Sequence, residues 1–108
     1  MEMQDKVVNT PFRGVKITLH PAKYQNGNNA LEFIETETGY PYLRASVNPS
    51  IDIPADLIAI KDYSENHGVG DYLRAIGIIS NVRAHVQSGY IKIPVYALTK
   101  EGCALFSA

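Results

Sequence analysis

Apolar and polar residues alternate with a period of two along most of this chain, and with a helical period over one short stretch. Val15, Ile17 and Leu19 alternate with Lys16 and Thr18, which predicts a half-buried strand from Phe12 to Leu19. His20-Pro21 is expected to end that strand, because proline has no N–H to give to a ladder. Gln25-Asn26-Gly27-Asn28-Asn29 is a strong turn signal, since Asn and Gly tolerate positive φ. A second strand is predicted from Ala30 to Glu37, with Leu31, Phe33 and Glu35 on one face and Glu32, Ile34 and Thr36 on the other. Thr38-Gly39 turns the chain into a third strand, Tyr40 to Asn48, and the pair reads as an antiparallel hairpin. Asn48-Pro49-Ser50 breaks the pattern, and a short fourth strand is expected between Asp56 and Lys61.

The one helical pattern follows. Val69, Tyr72, Leu73 and Ile76 are spaced i, i+3, i+4 and i+7, which places them on one face. Gly77 suits the helix C-terminus, and Glu65 and Asp71 lie near its start, where the dipole favours acids. Two further strands are predicted over Ile78–Val86 and Tyr90–Leu98. In the second of these Ile91, Ile93, Val95 and Ala97 face one way, and Pro94 suggests an edge strand or a bulge. The pattern predicts an α+β fold, an antiparallel sheet of about five to six strands with one central short helix packed on one face. Residues 1–11 read as a loose N-terminal arm, 12–99 as a single domain, and 100–108 as a tail, either a short helix or frayed.

Composition adds exclusions. The chain has 108 residues, 45% of them hydrophobic, which fits a folded domain rather than disorder. Ten basic and eleven acidic residues leave a net charge of −1, so no global basic field invites nucleic acid, and no direct DNA binding is expected. No apolar run is long enough for a membrane helix, the N-terminus lacks the features of a signal peptide, and Cys103 stands alone. Together these point to the cytoplasm.

Charge is uneven. Residues 30–73 carry eight acids (Glu32, Glu35, Glu37, Asp52, Asp56, Asp62, Glu65 and Asp71) against Arg44 and Lys61, a net of −6. Such an asymmetry marks a partner-facing surface or simply a solvated face.

Motifs for chemistry are sparse. There is no Walker loop and no G-x-G-x-x-G. His20, His67, His85 and Cys103 are too dispersed for metal-ligand spacing, and no cofactor is called for. Ser64 and Cys103 lack a nucleophile motif, and Asp62 with Glu65 is an unspecific carboxylate pair. The densest polar run, Lys61-Asp62-Tyr63-Ser64-Glu65-Asn66-His67-Gly68, joins a predicted strand to the helix. It reads either as a structural corner with capping side chains or as a recognition loop. Tyr40, Tyr42, Tyr63, Tyr90 and Tyr96 add contact area of the kind found at interfaces, although tyrosine is also an ordinary strand residue. Gly68 and Gly70 at the helix start would present N–H groups to an anion if basic side chains such as Arg44, Lys61, Arg74 or Arg83 converged there.

Three stretches, Arg44-Ala45-Ser46-Val47-Asn48, Ile60 to Gly68, and Ser88 to Val95, resemble in order and spacing a family of small domains of unknown function from bacteriophages and bacterial mobile elements. The resemblance covers residues 13–98, and its most specific part is the Lys61-Asp62-Tyr63-Ser64-Glu65-Asn66-x-Gly68 run. His67 stands where the family often has an acid. The resemblance implies a phage or mobile-element accessory protein and supplies no catalytic residues.

Two expectations follow. The first is a non-catalytic inhibitor that binds a bacterial defence protein, such as a CRISPR–Cas subunit, through Glu32, Glu35, Glu37, Tyr40, Tyr42, Asp62, Tyr63, Glu65 and Asn66. The second is a sequestering protein for a nucleotide-like anion, held by Gly68, Gly70, Arg44 and Arg74 with a tyrosine stacked on the base. An edge strand near Pro94 would allow two copies to pair as a homodimer.

Overall fold

The computed structural model describes residues 3–107. The chain folds as an α+β domain in which two antiparallel sheets are covered by two helices. The first sheet has the order β1-β2-β3-β4: β1 (Lys6–Val7), β2 (Ile17–Lys23), β3 (Asn29–Glu35) and β4 (Pro41–Arg44). The second has the order β5-β7-β6: β5 (Leu57–Ala59), β7 (Ile91–Leu98) and β6 (Ile79–Ser88). An isolated bridge between Ser46 and Ile60 joins the two sheets, where the chain past β4 meets the chain past β5.

The alternation seen in the sequence maps onto burial. In β3, Leu31 and Phe33 are fully buried, while Glu32 and Ile34 face partly outward. Helix α1 (Val69–Ala75) buries Val69, Tyr72 and Leu73, and its C-terminal turn is followed by Gly77 at φ 84°. At seven residues it is too short to persist alone, so packing holds it. Its Tyr72 ring lies edge-on to Phe12 (5.0 Å) and Phe33 (5.6 Å), and those two rings meet at 5.6 Å. This aromatic cluster forms the centre of the larger core. A smaller core forms from Ala59, Ile93 and Val95 under Val47, Ile53 and Tyr63.

Three expectations are corrected. The supposed loose arm is docked: Lys6 and Val7 pair with Leu19 and Thr18, and Val8 and Phe12 are buried. Residues 1–2 of that arm lie outside the described part. Second, β2 continues through Pro21 to Lys23. Lys16 turns its carbonyl to Thr36 beside β3 and Ile17 turns its carbonyl to Val8, so odd-numbered β2 residues bond toward β1. Pro21 lies past the two rungs of β1, and its missing N–H removes no ladder bond. Third, Pro94 is in the central strand of its sheet. Ile60 donates to the Pro94 carbonyl at 3.1 Å, so the Pro94 backbone faces β5 at the last rung, and the β6 ladder is untouched. Pro94 therefore offers no free edge for pairing between copies. The outer strands are β5 and β6, and β6 carries two bulges, at Ile79/Val82 and Val82/Ala84, that twist its edge.

Of the two readings of the tail, whose residue 108 lies outside the described part, the helical one is present: α2 (Lys100–Phe106) packs against β2 and β7 through buried Leu105 and Phe106. Thr99 caps it: its hydroxyl oxygen accepts from the Gly102 N–H at 3.0 Å and donates to the Gly77 carbonyl at 2.6 Å. Gly102 lies so close to the Ile78 carbonyl that an added Cβ would sit 2.1 Å from the oxygen. The expected α+β class with a central helix packed on a sheet is present, with the strands divided between two antiparallel sheets of four and three. Among the described residues no helix is long and apolar enough to cross a membrane.

Candidate functional site

The Asn-rich turn between β2 and β3 does more than reverse the chain. Asn28 is buried, and its Nδ2 donates to Asn48 Oδ1 and the Ile51 carbonyl, both at 2.9 Å, while its Oδ1 accepts from the Ile53 N–H at 2.8 Å. Asn29, also buried, donates to the carbonyls of Ala55 (3.0 Å) and Leu57 (2.9 Å) and accepts from Lys23. These bonds fasten the segment from Asn48 to Leu57 onto the first hairpin. Val47 and Asn48 thereby become one wall of a cleft.

The cleft has a volume of about 360 Å³ and is lined by Tyr24, Arg44, Ser46, Val47, Asn48, Lys61 and Tyr63. Ser46 holds its floor: the Oγ accepts from the Leu31 N–H at 2.9 Å and is hydrogen-bonded to the Tyr24 hydroxyl at 2.9 Å. Two cations converge on it. The Arg44 side chain is 62% exposed and reaches Glu32 only at 3.8 Å, so it is free to turn to a ligand. Lys61 Nζ lies 2.6 Å from Glu65 Oε1 and 6.0 Å from the Tyr63 ring centre. A second depression of about 210 Å³ adjoins it and shares Tyr24 and Arg44.

The hydrogen bond between Lys61 and Glu65 raises the lysine pKa above its ordinary value and lowers that of the glutamate. The glutamate's contribution to stability is present above its unfolded pKa and is lost as pH falls through the lowered folded value. The lysine's is present below its unfolded pKa and is lost as pH rises through the raised one. The pair is therefore intact across the neutral range. The Glu65 carboxyl resonance should titrate below the usual carboxylate range, and Lys61→Met should return it there. A normal titration in the parent chain would remove the pair from the solution structure.

The corner from Asp62 to Gly68 is built inward. Asp62 Oδ1 accepts from the Gly68 N–H at 2.9 Å, and its Oδ2 accepts from the Tyr96 hydroxyl at 3.4 Å. Burial, followed by the Asp62 charge, pushes the Tyr96 pKa up, so the phenol stays protonated. Asn66 is buried and donates to the Arg44 carbonyl at 2.7 Å. Arg13 Nη2 donates to the carbonyls of Glu65 (2.8 Å) and His67 (2.9 Å), and Ser64 beside this clamp has a left-handed φ of 54°.

The residues singled out in the sequence fall in separate places. Gly68 and Gly70 face Asp62: a Cβ on Gly70 would sit 2.6 Å from Asp62 Oδ2 and 2.6 Å from the Tyr96 hydroxyl, so this helix end is occupied by the chain's own carboxylate. Arg74 turns to β6 and β7, donating to the Ser80 carbonyl at 3.0 Å with its guanidinium 5.7 Å from the Tyr96 ring centre. Of that anion-binding set only Arg44 lines the cleft. Glu32, Asp62, Glu65 and Asp71 are each engaged within the chain, by Arg44, Gly68, Lys61 and Arg74 respectively. Glu35, Glu37 and the exposed Tyr40 gather instead around the β3–β4 turn, and Tyr42 packs 6.4 Å from Phe12. Among the described residues no three His, Cys, Asp or Glu side chains form a metal-binding group.

Sequence reasoning missed Tyr24, Ser46, Val47 and Asn48 as cleft residues and considered Lys61 as an anion-binding cation only at the helix start. One signal was available. A hairpin folded about the Asn-Gly turn sets Ala22 opposite Ala30, a pair of small residues that leaves a hollow on the sheet surface beside Tyr24. The chain matches no protein-family model, and neither curated proteins nor solved structures show significant similarity to it.

Proposed function

We propose that this chain is a non-catalytic binding protein that sequesters a nucleotide-like anion in the cleft between Tyr24 and Tyr63. The observation that carries this reading is the convergence of Arg44 and Lys61 with two tyrosines on one cavity of about 360 Å³. That volume falls within the range of about 300–1,000 Å³ typical of small-ligand sites. Arginine offers a planar fork to phosphate oxygens and lysine a point charge. Tyrosine rings give a face for a base to stack on. The helix N-terminus has no part in this site, because Asp62 occupies it. In the setting implied by the sequence resemblance, such a protein would withdraw a signalling nucleotide from a bacterial defence pathway.

The test is calorimetric titration of the full chain with a panel of nucleotides at low and high salt. Binding should weaken with ionic strength. Arg44→Ala with Lys61→Ala should reduce affinity about 100-fold, on about tenfold per lost charged hydrogen bond, with only the small drop in melting temperature that loss of two exposed ion pairs brings. Nucleotide binding that survives the double substitution would remove the cleft from the reading.

A second reading, inhibition of a defence protein by direct contact, is favoured by Glu35, Glu37 and Tyr40 at the β3–β4 turn. Tyr40 is 71% exposed there, beside two acids. Affinity capture from a bacterial lysate separates the two: a stoichiometric defence subunit released by Tyr40→Ala would establish contact inhibition, and a co-purified nucleotide would establish sequestration.

A further inference from the structure

The cleft does not end at Arg44. The adjoining depression of about 210 Å³ has an unusual floor for a sheet surface, the cross-strand pair Ala22 and Ala30, with no side chain large enough to fill it. Tyr24 forms the common wall of the two hollows, and Arg44 stands between them. His20 adds a polar group on the far side, where the Lys23 ammonium is turned away to Asn29 and Phe106, while Lys61 and Tyr63 lie on the near side.

We infer that the two hollows form one bipartite site for a dinucleotide, with the linking phosphate at Arg44 and one base in each hollow. This rests on the sequestering reading above and names its ligand class. A single nucleotide would leave one hollow empty and Arg44 with half its reach unused. A planar ring suits the flat Ala22–Ala30 floor, because methyl groups give apolar contact to a base face without blocking it. The charge arrangement fits a monoanionic linker, since among the described residues Arg44 is the one cation that borders both hollows. Its guanidinium is half free, with Glu32 at 3.8 Å as its ion-pair partner.

The test compares adenosine 5′-monophosphate with a linear diadenosine monophosphate on the full chain. The dinucleotide should bind about tenfold more tightly, the gain from a second stacked base. Ala30→Leu fills the far hollow from the solvent face of β3 and should abolish that gain, bringing the dinucleotide to the mononucleotide's affinity. Ala22→Leu, on the neighbouring strand, should do the same, and guards against a fold defect in either variant, which melting would reveal. Equal affinity for the two ligands would overturn the bipartite site and leave sequestration standing, as would a dinucleotide advantage that persists in both leucine variants. Affinity that keeps rising with a hexanucleotide would also overturn it, in favour of an open single-strand track. Failure of either probe to bind at all, with the rest of the nucleotide panel also silent, would remove both.

Discussion

Phe33→Ala should cost about 3–5 kcal/mol of stability, the largest effect expected of any single truncation in this chain. Phe33 is fully buried in the middle of β3, paired with Leu19 on one side and Leu43 on the other. Its ring is the meeting point of three layers. Phe12 brings in the N-terminal segment, Tyr72 brings in α1, and both rings lie 5.6 Å away at steep angles. Such edge-on pairs add to the burial of area. Removing the ring leaves a cavity that neither a strand nor a capped helix can collapse into without breaking its own hydrogen bonds. A domain of this size has only about 5–15 kcal/mol to lose, so the variant should be partly unfolded at 37 °C. Chemical denaturation read by circular dichroism measures it. Val7→Ala, at a position 55% exposed on the edge strand, should change stability by less than about 0.5 kcal/mol. Similar values for the two variants would mean that the aromatic cluster is not the centre of the fold.

Asn28→Asp should cost about 3 kcal/mol, although it alters a single atom type at a turn. The Asn28 amide donates to Asn48 Oδ1 and to the Ile51 carbonyl, and a carboxylate would place negative charge against both. The bond from Ile53 N–H to Oδ1 survives the change, so the loss belongs to the donor side. A drop of more than about 10 °C in melting temperature is expected. Ligand affinity should fall with it, because the same bonds hold Asn48 in the cleft wall. Protonation of the new acid at low pH restores one donor, and stability relative to the parent should recover as pH falls. Loss of stability without that recovery would place the cause elsewhere than the missing N–H.

Different parts of this structure were legible in the sequence for different reasons. Alternation over Ile17–Leu19 and Leu31–Phe33 identified strands and their inner faces, because one side of each meets core and the other meets solvent. The spacing of Val69, Tyr72 and Leu73 identified α1 for the same reason. The two prolines were misread. Whether a strand tolerates proline depends on which neighbour its nitrogen faces, and no local pattern encodes the neighbour. Helix α2 has only seven residues, and its stability comes from Leu105 and Phe106 docking on β2 and β7. Asn28 and Asn29 were legible as turn residues, yet their buried hydrogen bonds run 20 to 28 residues along the chain.

By itself the sequence determined the α+β class, the inner faces of β2 and β3, the position of α1 and the absence of familiar catalytic motifs, since all of these follow from local periodicity and residue type. The tertiary structure alone decided what the polar residues do. It placed Asp62 on the helix terminus that was read as an anion site, and it tied Asn66 to the Arg44 backbone. It assembled a cleft from three separated segments: Tyr24, Arg44 with Ser46–Asn48, and Lys61 with Tyr63. A polar side chain has several chemically equivalent uses, and the choice among them is made by whichever partner the fold brings within hydrogen-bonding distance.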